Sequence, residues 1–183
     1  IRLHTAEGNN SVTSEGTAIE ISRGSEVNIV ADAGDNIVSG KNYGAAALRN
    51  AQITIDSPQG TNYISSDGTA VDIRSGDTAQ ITISGQTVIE GKEAALKLEK
   101  DQKTWSGETS TGGTIQVNYA GSSSITGDVY GMNGGTVNIT PQSRGAMTIT
   151  GNIFGADESV SLDEFDATPG FEFDAAGNVY TLA

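Results

Sequence analysis

Short segments in which apolar residues alternate with Thr, Ser, Asn and Gln recur along most of the chain. A period of two is the pattern of a half-buried β-strand, whose successive side chains point to opposite faces. No segment has sustained 3.6-residue periodicity with caps, so we expect essentially no helix. The apolar positions form three series: Val27/Ile29, Ile53/Ile55, Ile81/Ile83, Ile115/Val117, Val137/Ile139 and Val160/Leu162; Ile37, Ile64, Ile89, Ile125 and Ile149; and Ile19/Ile21, Leu48, Val71/Ile73, Leu96/Leu98, Val129 and Ile153.

Internal repeats relate these series to one another. Residues 14–21 match 66–73 at an offset of 52, 125–131 match 149–155 at 24, and Ala46-Ala47-Leu48 matches Ala94-Ala95-Leu96 at 48. The offsets are one or two multiples of a unit of about 24 to 26 residues. Three strands per unit describe a coil that turns three corners and stacks on the previous coil at about 4.8 Å. We therefore predict an all-β fold, a right-handed parallel β-helix that forms a three-sided solenoid with about 24 residues per coil.

This register makes two predictions about side chains that stack from coil to coil. Four alanines are expected to line a tight corner: Ala18, Ala47, Ala70 and Ala95. Four charged residues are expected to form an outward ladder of alternating sign: Glu20, Arg49, Asp72 and Lys97. Opposite charges on neighbouring strands attract, although each exposed pair contributes only about 0–1 kcal/mol. The alternative is a coincidence among surface charges.

The coils are expected to occupy residues 1–163, with one interruption. The steps from Ile81 to Ile115 and from Ile89 to Ile125 are about ten residues too long, and the surplus predicts a corner-loop insertion at 100–112. Its candidate binding residues are Trp105, Lys103, Thr104 and Glu108. Trp105 is either an exposed carbohydrate platform or contact anchor, or a ring that covers the shaft. Residues 164–183 leave the pattern and predict a final coil, a cap or a bridge to a following region.

Composition excludes several classes of partner and of chemistry. The formal net charge is −13, from 10 basic and 23 acidic residues, and no basic patch exists. We therefore expect no nucleic acid partner and no direct membrane insertion by this segment. The chain has no cysteine, which excludes thiolate nucleophiles and cysteine metal sites. The chain opens at Ile1 without a signal peptide, so we expect a mature or excised segment.

No catalytic site, metal site or cofactor is predicted from the motifs. His4 is the only histidine and no Gly-Asp-Ser-Gly loop accompanies it, which excludes a serine protease triad. Residues 31–36 lack the ligand spacing of an EF-hand, and the acidic stretch 157–166 is either solubilising or a weak calcium site. An enzyme remains an alternative because the four residues of the predicted charge ladder would share one face. However, catalytic carboxylates cluster together, whereas these alternate with bases.

Several segments resemble the coils of autotransporter passenger domains of the pertactin-like kind. They are Ile125–Gly131, Asn133–Ile139 and Val38–Ala47. The resemblance covers most of residues 14–163, and it implies a β-helix adhesin displayed on a bacterial cell surface (the exposed side of the outer membrane) or secreted. The expected function is non-catalytic adhesion or cell–cell self-association, as in biofilms and virulence. The expected partner is a host or bacterial surface protein or glycan, or another copy. The alternatives are a polysaccharide lyase or hydrolase on the same scaffold, and a spacer that binds nothing.

Overall fold

The computed structural model describes residues 1–75, 78–98, 112–131, 135–155, 160–162, 171–173 and 179–181. These residues form an all-β parallel solenoid of about five turns, without a helix, so the predicted fold class is confirmed. Each turn takes about 26 residues, slightly more than the predicted 24. The strands are β1 (Arg2–Thr5), β2 (Asn10–Ser14), β3 (Thr17–Ile21), β4 (Glu26–Ala31), β5 (Asn36–Gly40), β6 (Tyr43–Leu48), β7 (Gln52–Ser66), β8 (Thr69–Ser75), β9 (Gln80–Gly91), β10 (Ala94–Leu98), β11 (Thr114–Thr126), β12 (Val129–Gly131), β13 (Thr136–Thr150), β14 (Ile153–Gly155), β15 (Val160–Leu162), β16 (Phe171–Phe173) and β17 (Val179–Thr181).

Two parallel sheets wrap one apolar interior. The first sheet has the order β1-β4-β7-β9-β11-β13-β15, with β5 joining β2 to β7, and the second has the order β14-β12-β10-β8-β6-β3. Separate strands of the early coils, β4 and β5, both pair with β7, which bends between Ser57 and Thr61. Each coil therefore has three strand segments as predicted, but two of them belong to one bent sheet.

The core rows follow the first predicted series. Val27, Ile53, Ile81, Ile115 and Val137 are successive register partners, and all five side chains are buried. Burying branched apolar side chains in such a continuous row is the main source of stability in a solenoid.

The second and third series are each wrong at one position. Ile37 pairs with Tyr63, while its neighbour Val38 is fully buried and pairs with Ile64. Leu48 does not align with Val71, whose partner is Ala45. The cause at Leu48 is the 48-residue offset, which is shorter than two turns of 26 residues and does not join equivalent positions.

The predicted alanine stack is wrong at Ala47 for the same reason, whereas Ala18, Ala70 and Ala95 do share one row. Thr17, Tyr43 and Thr69 are partners, so the row that follows them contains Ala18, Gly44 and Ala70, not Ala47. A Cβ on Gly44 would lie 2.6 Å from the carbonyl oxygen of Ala70, so this position of the row favours glycine over alanine.

Two short strands depart from the coil pattern near the end of the chain. Phe171–Phe173 pairs antiparallel with Val179–Thr181, and β17 approaches β13. These strands pair with each other and not in parallel with β15. A role for 164–183 as a cap or a bridge stays a prediction.

Candidate interaction surfaces

The predicted outward charge ladder exists only in part. The row on the outer face of the second sheet contains, in order, Glu20, Ala46, Asp72, Lys97, Tyr130 and Phe154. The prediction is wrong at Arg49, which lies beyond the end of β6 in a left-handed turn with φ 49°. Ala46 occupies the predicted place of Arg49, because the 48-residue offset that aligned Arg49 with Lys97 is not a structural repeat.

Arg74 supplies the positive charge that was assigned to Arg49. Its Nη1 lies 3.8 Å from Oε2 of Glu20, and its Nε lies 3.9 Å from Oδ2 of Asp72. The guanidinium carbon also lies 5.2 Å from the ring centroid of Tyr43, within cation–π range. Glu20 is exposed whereas the Asp72 side chain is fully buried, so Asp72 depends on nearby cations for its charge. Sequence analysis missed Arg74, although it stands two residues after Asp72 and therefore on the same strand face.

The same outer face ends in a stacked aromatic pair. The rings of Tyr130 and Phe154 lie 4.8 Å apart with an interplanar angle of 14°. The Tyr130 hydroxyl donates to Oδ2 of Asp128 at 3.2 Å, and burial together with the Asp128 charge raises the pKa of Tyr130. Phe154 is 39% exposed and is the more accessible ring for contact with another molecule.

A second charged row, which sequence analysis missed, lies at the corner between the two sheets. The strands β2, β5, β7 and β9 end at four register partners, Ser14, Gly40, Ser66 and Gly91. The residue after each strand end is exposed, and these four residues are Glu15, Lys41, Asp67 and Lys92. We call them the corner row. Its charges alternate from coil to coil in the way that was predicted for the other face.

The corner row is held by backbone and side-chain bonds. The amides of Lys41 and Lys92 donate to the carbonyls of Ser14 and Ser66, each at 3.2 Å. Nζ of Lys92 lies 2.5 Å from Oδ1 of Asp67. The hydrogen bond and the charge of Lys92, followed by the more distant charge of Lys41, lower the pKa of Asp67.

An open groove with a volume of about 700 Å³ runs along this corner. Besides the corner row, its lining includes Ser39, Ser65 and Glu90, which share one row of the first sheet. The Ser65 hydroxyl donates to the Ser39 hydroxyl at 3.0 Å. The groove therefore offers charges of both signs and hydroxyl groups, a chemistry suited to polar docking.

The outer face of the first sheet is mostly uncharged and polar. One row of half-buried side chains contains Asn28, Thr54, Thr82, Gln116 and Asn138. Some of these groups bond within the face; for example, Nε2 of Gln116 donates to Oδ1 of Asn118 at 2.9 Å. Intramolecular bonds therefore already use part of the bonding capacity of this surface.

The predicted contact residues Trp105, Lys103, Thr104 and Glu108 lie outside the described residues, between β10 and β11 in the sequence. The acidic stretch 157–166 is also outside them, apart from residues 160–162. Within the described ranges, no three carboxylate or histidine side chains come together as metal ligands. The described part of the chain also contains no apolar helix of the length that a bilayer crossing needs.

Comparisons of the chain with protein-family models, with curated protein sequences and with solved structures find no match.

Proposed function

We propose that this chain is a non-catalytic passenger segment of a bacterial autotransporter, exposed on the outer membrane or secreted, that acts in adhesion or cell–cell self-association. The observation that carries the proposal is the corner row with its groove. Exposed charges of both signs are repeated once per coil along a parallel solenoid. A surface of repeated weak contacts suits binding through avidity.

The scaffold supports this function because its coils are joined continuously. Neighbouring coils share ladders of backbone hydrogen bonds in both sheets, and one apolar core runs through all of them. Such a shaft holds its outward side chains in a fixed order and spacing. The partner is a host or bacterial surface protein or glycan, or another copy of the chain. The excess of acidic residues disfavours a nucleic acid partner.

The resemblance of Ile125–Gly131 and Val38–Ala47 to pertactin-like passenger coils supports the bacterial surface location. These two segments lie on strands of the coils and on the corners between them. Solenoid patterns carry more information about fold than about activity, so the functional argument depends on the surfaces described above.

An alternative function is a polysaccharide lyase or hydrolase on the same scaffold. The pairing of Glu20 with Arg74 on the outer face favours it, because lyases need a base beside a carboxylate, whereas the buried Asp72 cannot contact a substrate. Incubation with pectins, alginate and glycosaminoglycans tests this alternative, since unsaturated products or new reducing ends would reveal cleavage.

The proposed function is tested with the 183-residue chain coupled to beads. We expect the beads to adhere to bacterial or epithelial cells, or to aggregate with each other, whereas beads that carry an unrelated acidic protein do neither. A variant shortened by ten residues within 100–112 keeps its circular dichroism spectrum and binds less if the predicted corner loop contributes. Unchanged binding by this variant would remove the loop from the proposal. A lack of adhesion and of aggregation by the intact chain would favour the spacer.

A further inference from the structure

The corner row has a charge order that is complementary to itself when reversed. From the first coil to the fourth, its residues are Glu15, Lys41, Asp67 and Lys92. One residue is contributed per coil, so the spacing between neighbours is about 4.8 Å. The side chains of Asp67 and Lys92 are 57% and 76% exposed, which leaves their charged groups accessible to another molecule.

We infer that the corner row docks onto the same row of a second copy in antiparallel orientation. This inference rests on the proposed function and names its partner. A two-fold axis that passes between Lys41 and Asp67 places Glu15 opposite Lys92 of the second copy and Lys41 opposite its Asp67. By symmetry each contact occurs twice, and all four facing pairs have opposite charge. An unshifted parallel arrangement would place each residue opposite its own copy and make every pair repulsive.

The shared spacing of the two copies is what makes all four contacts compatible. Both rows lie on the same solenoid, so their residues repeat with one period and remain in register along the whole contact. Such an interface is isologous, with the same patch used by both partners. Any partner with stacked β-strands would share this spacing, but only a second copy is certain to present the complementary charge order at it.

The row of side chains that lines the groove is also compatible with docking about this two-fold axis. Ser39, Ser65 and Glu90 line the groove in three successive coils, and Thr13 is the register partner of Ser39 in the first coil. Antiparallel docking places Ser39 opposite Ser65, and Thr13 opposite Glu90. Hydroxyl groups donate to hydroxyl or carboxylate oxygens, so no like charges face each other in this row either.

The contact is expected to be weak for a single pair of chains. Exposed ion pairs contribute little individually, and the net charge of −13 on each copy opposes association. Many copies on one surface would multiply the effect through avidity. Both sedimentation equilibrium at high protein concentration and aggregation of coated beads are therefore suitable measurements.

Charge exchange between two variants tests the antiparallel arrangement. Lys41→Glu and Asp67→Lys each turn two of the four attractive pairs into repulsive ones, so each variant alone should associate at least tenfold more weakly than the wild type. In an equimolar mixture Glu at position 41 of one chain faces Lys at position 67 of the other, and all four pairs are opposite again. We expect the mixture, and also the double variant Lys41→Glu/Asp67→Lys, to recover association. The matched control is the pair Arg2→Glu and Glu7→Lys, which makes the same changes of net charge at exposed positions outside the row.

The result that overturns the inference is a wild-type chain that does not self-associate in either measurement, or a mixture that associates no better than its components. Adhesion of the same beads to bacterial or epithelial cells is measured in parallel. Adhesion without self-association would reject the antiparallel pair and keep the proposed function with another partner. If the chain neither adheres nor self-associates, both the antiparallel pair and the proposed function are rejected. Circular dichroism spectra of all variants confirm that each one is folded.

Discussion

The side-chain amide of Asn36 donates to that of Asn62 in the next coil, with 2.9 Å between Nδ2 and Oδ1. Asn36 also donates to the carbonyl of Asp56 at 2.7 Å and accepts from Nδ2 of Asn10 at 2.9 Å. Asn36 and Asn62 are fully buried and Asn10 is almost so. A ladder of amides therefore bonds three coils together inside the bend, where a buried polar group without partners would be costly.

Replacing Asn36 with alanine should destabilise the chain by about 2–4 kcal/mol, because the change removes three hydrogen bonds and leaves the Asn10 and Asn62 amides and the Asp56 carbonyl each short of a partner. Urea unfolding followed by circular dichroism measures the loss. The control is Asn42→Ala at an exposed corner, which should change the free energy of unfolding by less than about 0.5 kcal/mol. A similar loss for both variants would mean that burial of the ladder is not the source of its stability.

Corner glycines differ in how closely the previous coil approaches them. A Cβ on Gly68 would lie 2.4 Å from the carbonyl oxygen of Asn42, whereas a Cβ on Gly16 would meet only the Ser14 hydroxyl at 3.7 Å. Gly68→Ala should therefore lower the free energy of unfolding by about 1–3 kcal/mol through overpacking. Gly16→Ala should be neutral or raise it by about 0.4–1 kcal/mol, because alanine restricts the unfolded chain. Equal melting temperatures for these two variants would contradict the close approach.

The sequence predicts strands in this protein better than it predicts corners. The row that contains Ile53 and Ile81 could be aligned because branched apolar residues mark each strand and these residues must face the core. Corner lengths vary, however: 26 residues separate Val27 from Ile53, and 28 separate Ile53 from Ile81. A chance likeness of two alanine-rich segments then shifted Leu48 and Arg49 out of their true rows. The similarity of two short segments predicts that they share a row only where a strand fixes their register.

The candidate site illustrates the same difference. An alternating charge ladder was predicted through Arg49 and Lys97, and the structure has one at Glu15, Lys41, Asp67 and Lys92 instead. A signal for it existed, since three of these residues (Lys41, Asp67 and Lys92) directly follow a strand of the second series. Recognising it required the strand ends, which hydrophobic alternation does not define because serine and glycine occupy them.

The stability of the first sheet should depend on the ionisation of Asp56. Burial, together with the nearby charge of Asp32, raises the pKa of Asp56 above its ordinary value of 3.8. A raised pKa means that the ionised carboxylate disfavours the folded state at neutral pH, and that this cost disappears as the pH falls through the folded-state pKa. Asp56→Asn should therefore stabilise the chain at pH 7 by about 0.5 kcal/mol, with no advantage at pH values well below 3.8.

Asp67→Asn is the control for this titration because the pKa of Asp67 is shifted in the opposite direction to that of Asp56. Its pKa is lowered by Lys92, so its ionised form favours the folded state above the ordinary pKa, and that contribution is lost as the pH falls through the folded-state pKa. The asparagine variant should be less stable than the wild type at pH 7 and equal to it in acid. Thermal melts of both variants and the wild type between pH 7 and acid well below pH 3.8 make the comparison, and differences that do not change with pH would contradict both assignments.

The buried carboxylate of Asp72 should make the second sheet sensitive to the loss of Arg74. Arg74→Met keeps most of the side-chain volume but removes a cation whose Nε lies 3.9 Å from Asp72. We expect a loss of about 1–3 kcal/mol in the free energy of unfolding. The full cost of breaking a buried pair is not expected, because Lys97 is the register partner of Asp72 in the next coil and keeps a positive charge nearby. Arg74→Lys retains the charge and should lose less.

A double-mutant cycle separates the charge effect from the packing of Arg74 on Tyr43. Asp72→Asn removes the buried charge, so adding Arg74→Met to it should cost less than Arg74→Met costs in the wild type. The difference between the two costs is the coupling energy, which should be about 1 kcal/mol or more if Arg74 compensates Asp72. Additive effects would assign the role of Arg74 to its contact with the Tyr43 ring and with the exposed Glu20, and would leave Lys97 as the cation on which Asp72 depends.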